Sequence, residues 1–290
     1  MKKTCALLEA AVSCGSPTTG TERAFDDLTA HGAAALLGDA VLCPMEKTDP
    51  GPVGDPHLRH LDAVTAVSRT LRANMLTALE KGQFPVVIGG DHSIAMGSLA
   101  ALGEHYGAEN VGLIYIDAHT DINTEESSSS GFIHGMDLAA ACGLCCDALT
   151  VGKNKVNLKG ENIHFIGARS IDPPEYGIVE SVGAHLYPVE QVRQRGMAAV
   201  MADILRQLAG KRVHISFDVD ALDPSEFTAT GYNIPDGLTL AEVEQAIALA
   251  LDSGLACSFE CVEYNPTLDP KGVDRAKLLE ILKLVEAHRP

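Results

Sequence analysis

Residues 111–123 read VGLIYIDAHTDIN, in which an apolar, β-branched run passes directly into Asp117, His119 and Asp121. Such a run is typical of a buried strand in a parallel sheet. In a strand, or in an extended exit from one, residues two apart face the same side, so these three side chains can converge on one pocket. The stretch therefore predicts a strand with a cluster of polar ligands at its carboxyl end.

Apolar runs alternate with helical patterns along the rest of the chain, which predicts an α/β fold: a three-layer α/β/α domain with a mostly parallel sheet. Because no linker or internal repeat interrupts the pattern, a single domain over residues 1–290 is expected. The predicted strands are residues 4–10, 85–89, 111–117, 162–167, 184–188, 212–218 and 257–263. The predicted helices are residues 61–82, 93–107, 137–149, 191–210, 239–254 and 272–287.

The composition excludes several classes of protein. Hydrophobic residues make up 46% of the chain and charged residues 21%, which is typical of a globular protein and not of a disordered or fibrous one. The net charge of −17 repels nucleic acid and anionic lipid and attracts cations. No apolar run approaches the length of a membrane span, and MKKTCALLEA at the start lacks the apolar segment of a signal peptide. We therefore expect a cytoplasmic protein with no nucleic-acid or membrane partner.

The eight cysteines are too sparse for a small secreted disulfide scaffold, so reduced thiols are expected. Cys142 and Cys145 have the Cys-x-x-Cys spacing of zinc and redox sites, but no second cysteine pair completes a zinc site. The surrounding DLAAACGLCCDAL is rich in alanine and leucine and predicts a helix. Thiols in such a helix pack as small hydrophobes, and the same interpretation applies to Cys257 and Cys261.

Two further predicted strands end in potential ligands. VVIGGDHS, residues 86–93, has a glycine pair that allows a tight turn and places His92 where a helix begins. VHISFDVDALDP, residues 213–224, carries Asp218 and Asp220 two positions apart. Because ligands of open parallel sheets bind outside the carboxyl ends of the strands, we expect all these side chains to meet at one edge.

These strand ends together supply four carboxylates and two imidazoles. Each motif alone is more often a turn or a helix cap, but its recurrence on three strands favours a metal site. Clustered carboxylates repel one another unless cations neutralise them, and oxygen and nitrogen ligands without thiolate suit Mn²⁺. Six ligands are enough for two ions bridged by Asp117 and Asp218, and such a pair makes hydroxide from a bridging water at neutral pH.

The motifs GGDHS, DAHTDIN and SFDVDALDP resemble the signatures of the ureohydrolase family, which includes arginase, agmatinase and formimidoylglutamase. The resemblance implies a parallel sheet of about eight strands, two Mn²⁺ ions per chain, and hydrolysis of a guanidino or formimino carbon. It also implies a trimer or a dimer of trimers. One ion is expected to take His92, Asp117, Asp121 and Asp218, and the other Asp117, His119, Asp218 and Asp220.

The loop INTEESSSSGFIHGM, residues 122–136, resembles arginases more than agmatinases, whose loop is usually shorter. Asn123 and Ser130 occupy the places where arginases hold the α-carboxylate of the substrate, and His134 that of a proton-shuttling histidine. The alternative interpretation of the serine run is a flexible loop. Phe132 departs from the pattern, because arginases commonly have an asparagine there that contacts the carboxylate.

Three more acidic residues match arginase positions. Asp172 corresponds to the aspartate that holds the substrate α-amino group and Glu175 to a glutamate that assists through water, although Asp before Pro-Pro is also a common turn. Glu263, in VEYNPTLDP, corresponds to the glutamate that pairs with the guanidinium. Tyr232 and Asn233 depart from the family, since arginases have Thr-Pro there.

The resemblance thus implies hydrolysis of L-arginine to L-ornithine and urea by a hydroxide that bridges two Mn²⁺ ions. Asp121 is expected to receive the proton of that hydroxide and His134 to relay a proton to the leaving amine. The expected partner is a small cationic guanidino substrate. An agmatinase-like or other guanidino or formimino hydrolase is the alternative, and a non-catalytic metal-binding protein of the same fold is the other.

Overall fold

The computed structural model describes residues 2–38 and 40–290. Its strands are β1 (Cys5–Ala10), β2 (Val41–Cys43), β3 (Gly54–Asp55), β4 (Leu58–Arg59), β5 (Phe84–Gly89), β6 (Val111–Ile116), β7 (Ile163–Ile166), β8 (His185–Tyr187), β9 (Arg212–Asp218) and β10 (Ala256–Val262). Within the described residues, eight of them form a sheet in the order β2-β1-β5-β10-β9-β6-β7-β8, and every neighbouring pair is parallel. The remaining two, β3 and β4, form a short antiparallel ribbon.

Helices cover both faces of this sheet. They are α1 (Ala24–Ala30), α2 (Ala33–Leu36), α3 (Leu61–Glu80), α4 (Ala95–Tyr106), α5 (Asp137–Ala141), α6 (Pro173–Val182), α7 (Val189–Arg195), α8 (Met197–Gln207), α9 (Leu240–Asp252) and α10 (Val273–His288). Helices α3 to α6 contribute to the core on one face, and α1, α2 and α7 to α10 contribute to the core on the other. The predicted three-layer α/β/α architecture is confirmed. In the described part of the chain, no helix combines the length and apolarity needed to cross a membrane.

Strand β6 illustrates why the central strands read as continuous apolar runs. Ile114 and Ile116 pack into the core on one face, whereas Leu113 and Tyr115 pack into the core on the other. All four are fully buried. Burying one such side chain stabilises the fold by roughly 1.5–3 kcal/mol as an upper bound, so a sheet covered on both sides requires apolar residues at successive positions.

The seven predicted strands are confirmed to within one residue at each end, and β2 is the strand of the sheet that the prediction missed. It has only three residues and lies at an edge, paired with β1. Val41 and Leu42 are 44% and 48% exposed, so neither alternation nor a buried run marks the segment.

Two predicted helices are shorter than expected because a glycine interrupts each. The helix predicted over residues 137–149 was wrong beyond Ala141, where α5 ends two residues before Gly143, whose φ is +76°. The helix predicted over residues 191–210 is two helices, since Gly196, with φ +78°, separates α7 from α8. Positive φ is open to glycine at little cost, and it ends a right-handed helix. The cysteines of CGLCC therefore lie beyond the helix, and Cys142, Cys145 and Cys146 are free thiols.

The order of strands brings the polar motifs together. The chain leaves β5 for β6, continues outward to β7 and β8, and returns to insert β9 and β10 between β6 and β5. The four central strands β5, β10, β9 and β6 therefore end side by side at the point where the winding reverses. All three predicted ligand motifs follow strands of this group, and β10 adds a fourth strand end between two of them.

Gly90 joins these strand ends. Its N–H donates to the carbonyl of Ala10 at 2.7 Å, and its own carbonyl accepts from the N–H of Glu263 at 2.9 Å. A Cβ at this position would lie 1.7 Å from the carbonyl oxygen of Val12, which is backbone and cannot rotate away. Glycine is required here by the close approach of two chain segments.

The Gly90→Ala substitution should therefore lower the free energy of unfolding by about 3 kcal/mol, the upper end of the usual cost of overpacking. Urea unfolding of the metal-free protein measures this. Gly177→Ala is the matched control, because Gly177 lies in α6 and an alanine Cβ there would have no neighbouring atom within 4 Å. The control should be neutral or raise stability by up to about 1 kcal/mol. Equal midpoints for the two variants would contradict the close-approach argument.

Candidate metal centre and active site

Asp117 lies at the middle of the ligand cluster, immediately after β6, and is 1% exposed. Its two carboxylate oxygens face two different imidazoles. Oδ2 is 2.9 Å from Nδ1 of His92, and Oδ1 is 3.4 Å from Nδ1 of His119. Asp117 is thus in position to serve two cation sites at once.

The first group of ligands surrounds His92, which begins a short 3₁₀ helix after β5 and is fully buried. Its Nδ1 lies 3.1 Å from Oδ2 of Asp218 and 3.3 Å from Oδ2 of Asp121. One ligand atom each of His92, Asp117 and Asp218 lies within 4.8 Å of the others. This spacing is suitable for coordination of one ion.

The second group combines Asp117 with His119 and Asp220, whose ligand atoms also lie within 4.8 Å of one another. Nδ1 of His119 is 3.1 Å from Oδ2 of Asp220. The N–H of Ala118 donates to the other oxygen of Asp220 at 3.2 Å, and the N–H of Asp220 donates to Oδ1 of Asp218 at 2.8 Å. Backbone donors thus aim one oxygen of Asp218 and one of Asp220 at the cluster.

The donor set fits a divalent metal ion. Oδ2 of Asp117 is buried and, despite its 2.9 Å distance from His92, has no partner in hydrogen-bond geometry among the described residues. Burial raises the pKa of Asp218 well above its ordinary value, and the charges of Asp220 and Asp117 raise it further. Only cations remove that repulsion while all the carboxylates stay ionised.

Sequence reasoning missed a buried network behind His92. Nε2 of His92 is 2.8 Å from the hydroxyl of Ser216, which donates to Oε1 of Glu260 at 2.8 Å. The pKa of Glu260 is lowered to about 2, because the contact with His214 and the donated hydrogen bonds outweigh its burial. Because the Ser216 hydroxyl donates to Glu260, it must accept from His92. This series of hydrogen bonds assigns a proton to Nε2 of His92 and leaves Nδ1 for the metal. The available signal was a polar residue inside an apolar strand, two positions before Asp218.

Sequence reasoning also missed Tyr115. It lies two positions before Asp117 inside an apolar run, where a tyrosine is easily taken for a residue that only packs in the core. Its ring stacks on His92 with the centroids 4.4 Å apart and the planes 6° from parallel. Its hydroxyl donates to Oδ2 of Asp121 at 2.8 Å and lies 3.5 Å from Oδ2 of the fully buried Asp137. Tyr115 therefore orients two of the predicted ligands.

Asp121 and Glu263 both have positive φ, 43° and 62°, in residues other than glycine. Such conformations cost roughly 1–3 kcal/mol each and persist where surrounding contacts hold them. The carboxylate of Glu175 supplies one such contact, because its oxygens accept from the N–H groups of Ile122 and Asp172 at 2.9 and 2.8 Å. Burial and the charge of Asp121 raise the pKa of Glu175 to about 7. Glu175 thus ties the ligand loop to the start of α6, which the turn interpretation of Asp172 did not predict.

A cavity of about 240 Å³ opens beside the cluster. The remaining predicted site residues line it: Asn123, Ser130, His134, Asp172, Glu175 and Glu263. Oε1 of Glu263 accepts from the N–H of His92 at 3.0 Å and lies 3.3 Å from Nδ1 of His134. Oε2 of Glu263 is buried and has no hydrogen-bond partner in residues 2–38 and 40–290. Burial lowers the pKa of His134, but the contact with Glu263 outweighs it and the net shift is upward.

The far end of the cavity is polar. Nδ2 of Asn123 donates to Oδ2 of Asp172 at 3.1 Å, and Oδ1 of Asn123 accepts from the hydroxyl of Ser127 at 2.8 Å. Ser130 also lines the cavity, and its carbonyl accepts from Nε of Arg59 at 2.9 Å. The guanidinium of Arg59 lies 4.9 Å from the ring centroid of Phe132. The serine run is therefore held in place by Arg59 of β4.

Comparison with known proteins agrees with these features. A model of the arginase family matches residues 3–282. The chain is 40% identical over 221 residues to an arginase of Bacillus caldovelox, covering 75% of this chain and 73% of that one, and 37% identical over 237 residues to an arginase of Bacillus subtilis (strain 168), covering 79% and 77%. The crystal structure of arginase from Bacillus cereus superposes with a TM-score of 0.91 at 30% identity over 99% of both chains.

The chain belongs to the arginase family. The family resemblance and the fold that it implied are thereby confirmed. Because members of the family carry a metal centre, the cluster around Asp117 is its counterpart here.

Replacement of Asp117 should lower the bound metal more than replacement of His92. Asp117 contributes to both groups of ligands, whereas His92 contributes to one. The measurement is the metal content of Asp117→Ala and His92→Ala after saturation with a divalent ion and exhaustive dialysis. Glu9→Ala is the control, since Glu9 is a buried carboxylate on β1 outside both groups. Equal metal content in the Asp117 and His92 variants would contradict a shared ligand.

Metal binding should release protons at pH 7. Burial alone would lower the pKa values of His92 and His119, but the neighbouring carboxylates outweigh it and raise both well above the ordinary value. These imidazoles are therefore protonated in the metal-free protein and must become neutral to ligate, so the apparent affinity rises with pH, about tenfold per unit for each proton released. Calorimetric titration in buffers of different ionisation enthalpy counts the protons. His119→Asn should release fewer, and a count of zero in the unaltered protein is the contrary result.

Proposed function

We propose that this protein hydrolyses L-arginine to L-ornithine and urea with two Mn²⁺ ions per chain. The observation that carries the proposal is Oε2 of Glu263, a buried carboxylate oxygen without a hydrogen-bond partner among the described residues, in a side chain that lines the cavity beside the metal ligands and His134. Such an oxygen is costly unless a donor arrives, and a guanidinium supplies one. The relatives named arginase support this choice of substrate.

The proposed ligand sets extend the two clusters. His92, Asp117 and Asp218 would hold one ion together with the neighbouring Asp121, and Asp117, His119 and Asp220 would hold the other together with Asp218, which the family resemblance adds. When bound, such a pair of ions supplies an activated water, because divalent cations lower the pKa of the water they hold. The absence of thiolate from both sets is the reason for choosing Mn²⁺ over a softer metal.

The cavity selects for a cation at its inner end. Glu263, Asp121, Asp218 and Asp220 all line it, and no lysine or arginine does among the residues that the structure describes. A guanidinium can donate two parallel hydrogen bonds to one carboxylate, a geometry that a compact ammonium cannot match. Glu263 therefore orients the guanidinium carbon toward the metal ligands.

Proton transfer is the task of Asp121 and His134. Asp121 accepts the proton of the attacking water, and Tyr115 orients this carboxylate by donating to its Oδ2. His134 relays a proton to the leaving amine, and its elevated pKa keeps a proton available near neutral pH. The 3.3 Å contact with Glu263 holds the imidazole next to the guanidinium that it serves. A non-catalytic binding protein would have no use for such a shuttle.

The far end of the cavity distinguishes arginine from agmatine. Asn123 and Ser130 are proposed to bind the α-carboxylate, and Asp172 the α-amino group, with Glu175 holding Asp172 in place. Phe132 removes one carboxylate contact, which weakens substrate binding more than the chemical step and so raises KM more than it lowers kcat. Each well-placed buried hydrogen bond is worth about 1–3 kcal/mol, so two or three can separate the substrates by orders of magnitude.

We infer one ureohydrolase domain over residues 1–290 from the uninterrupted α/β pattern, and a cytoplasmic location from the sequence. The family resemblance adds assembly as a trimer or a dimer of trimers. Light scattering of the purified protein measures the assembly directly.

The metal-loaded protein should release urea from arginine with a higher kcat/KM than from agmatine or guanidinobutyrate, because only arginine presents both α groups. The Asp172→Ala variant should lower kcat/KM for arginine by about 10- to 100-fold, as expected for one lost hydrogen bond to a charged group. Asp252→Ala is the control, since Asp252 lies at the end of α9 and pairs with His288.

The outcomes separate the alternatives. If agmatine matches or exceeds arginine, the protein is agmatinase-like. If no guanidino or formimino compound releases product although metal is bound, the chain is a binding protein.

A further inference from the structure

Tyr232 contacts two imidazole rings of the site, those of His134 and His119. Its ring is 5.8 Å from that of His134, centroid to centroid, with the planes 22° apart. It meets His119 nearly edge-on at 5.6 Å and 73°. The side chain is half-buried and lines the cavity together with Glu263 and Asp121. The sequence singled Tyr232 out as a departure from the family, and the structure makes it a wall of the cavity.

The segment that carries Tyr232 is anchored on both sides. Before it, the N–H groups of Thr228 and Ala229 donate to Oδ2 of Asp274 at 2.8 and 3.0 Å. After it, the Arg169 guanidinium donates to the carbonyls of Ile234 and Pro235 at 2.7 and 3.0 Å. The backbone on both sides of Tyr232 is therefore held in place before any ligand enters, so binding against the ring costs little backbone ordering.

We propose that Tyr232 is a specificity-determining residue, an aromatic wall that selects a flat guanidinium or amidinium head group over a tetrahedral ammonium. The proposal rests on the proposed function of the site. Glu263 lines the cavity with a carboxylate that has an oxygen without a hydrogen-bond partner in the described residues, and Tyr232 lines it with an aromatic ring, a group that attracts cations. A guanidinium is planar and weakly hydrated and stacks on such a ring, whereas an ammonium is compact and keeps its water.

This selectivity has a consequence for the reaction. The substrate carries the guanidinium and the amino-acid product carries an ammonium at the same end, so the wall binds the first better than the second. Tyr232 thereby favours release of the product amine. The near-parallel contact with His134 also keeps that imidazole in one plane beside the head group.

The test compares two small ligands on the metal-loaded protein: methylguanidinium and methylammonium, each titrated calorimetrically. The Tyr232→Leu variant keeps an apolar side chain without the aromatic face, and Tyr232→Phe keeps the face without the hydroxyl. Leucine should weaken methylguanidinium binding by about 5- to 30-fold and methylammonium binding by less, whereas phenylalanine should stay within about threefold of the unaltered protein for both. Tyr232→Thr replaces the leucine variant if circular dichroism shows that the latter is unfolded.

Tyr106→Leu is the matched control, because Tyr106 is a half-buried tyrosine whose ring meets His105 edge-on at 4.5 Å outside the cavity. The proposal is overturned if the non-aromatic variant weakens both ligands equally or neither, or if the unaltered metal-loaded protein binds no methylguanidinium. Binding of methylguanidinium without urea release from any guanidino compound would refute the proposed function alone, since the selectivity of Tyr232 is still measured.

Discussion

The mutual repulsion of buried carboxylates around Asp117 is the constraint on which the rest of the site depends. Asp117, Asp218 and Asp220 are each at most 3% exposed and have His92 or His119 within 3.4 Å. In a low-dielectric interior such a cluster is stable only when cations compensate it. Protonated imidazoles do so in the metal-free protein, and metal ions do so when they replace those protons. The same excess of negative charge attracts cations to the adjoining cavity.

A parallel sheet provides the rigidity that this repulsion requires. All strands of the central group end at one edge, so the ligands follow closely on hydrogen-bonded strands, which limits how far they can relax away from one another. The network of His92, Ser216 and Glu260 then sets which nitrogen faces the metal. The departures at Tyr232 and Phe132 lie outside this rigid group, in loops that line the cavity. Phe132 contacts none of the six predicted ligands in ring geometry, whereas Tyr232 contacts His119, so a change at Tyr232 reaches both the cavity and one predicted ligand.

Local patterns in the sequence predicted the features that depend on neighbouring residues. A fully buried strand needs a continuous apolar run, so the central strands and the polar motifs that follow them could be predicted directly from the sequence. The edge strand β2 escaped prediction because exposed residues in a three-residue strand leave no periodic signal. The helices over 137–149 and 191–210 were predicted too long, because the pattern of apolar residues continues across Gly143 and Gly196 while the backbone does not.

The sequence by itself determined the α/β class and the polar motifs at the strand ends, because residue type and spacing along one strand suffice for these. Only the tertiary structure decided that β10 brings Glu263 between the other strand ends, that Tyr115 and Glu260 support the ligands, and that Tyr232 packs against His134 and His119. These contacts join residues up to 171 positions apart, as between His92 and Glu263. Such pairings follow from the order of strands in the sheet, and no local pattern in the chain records that order.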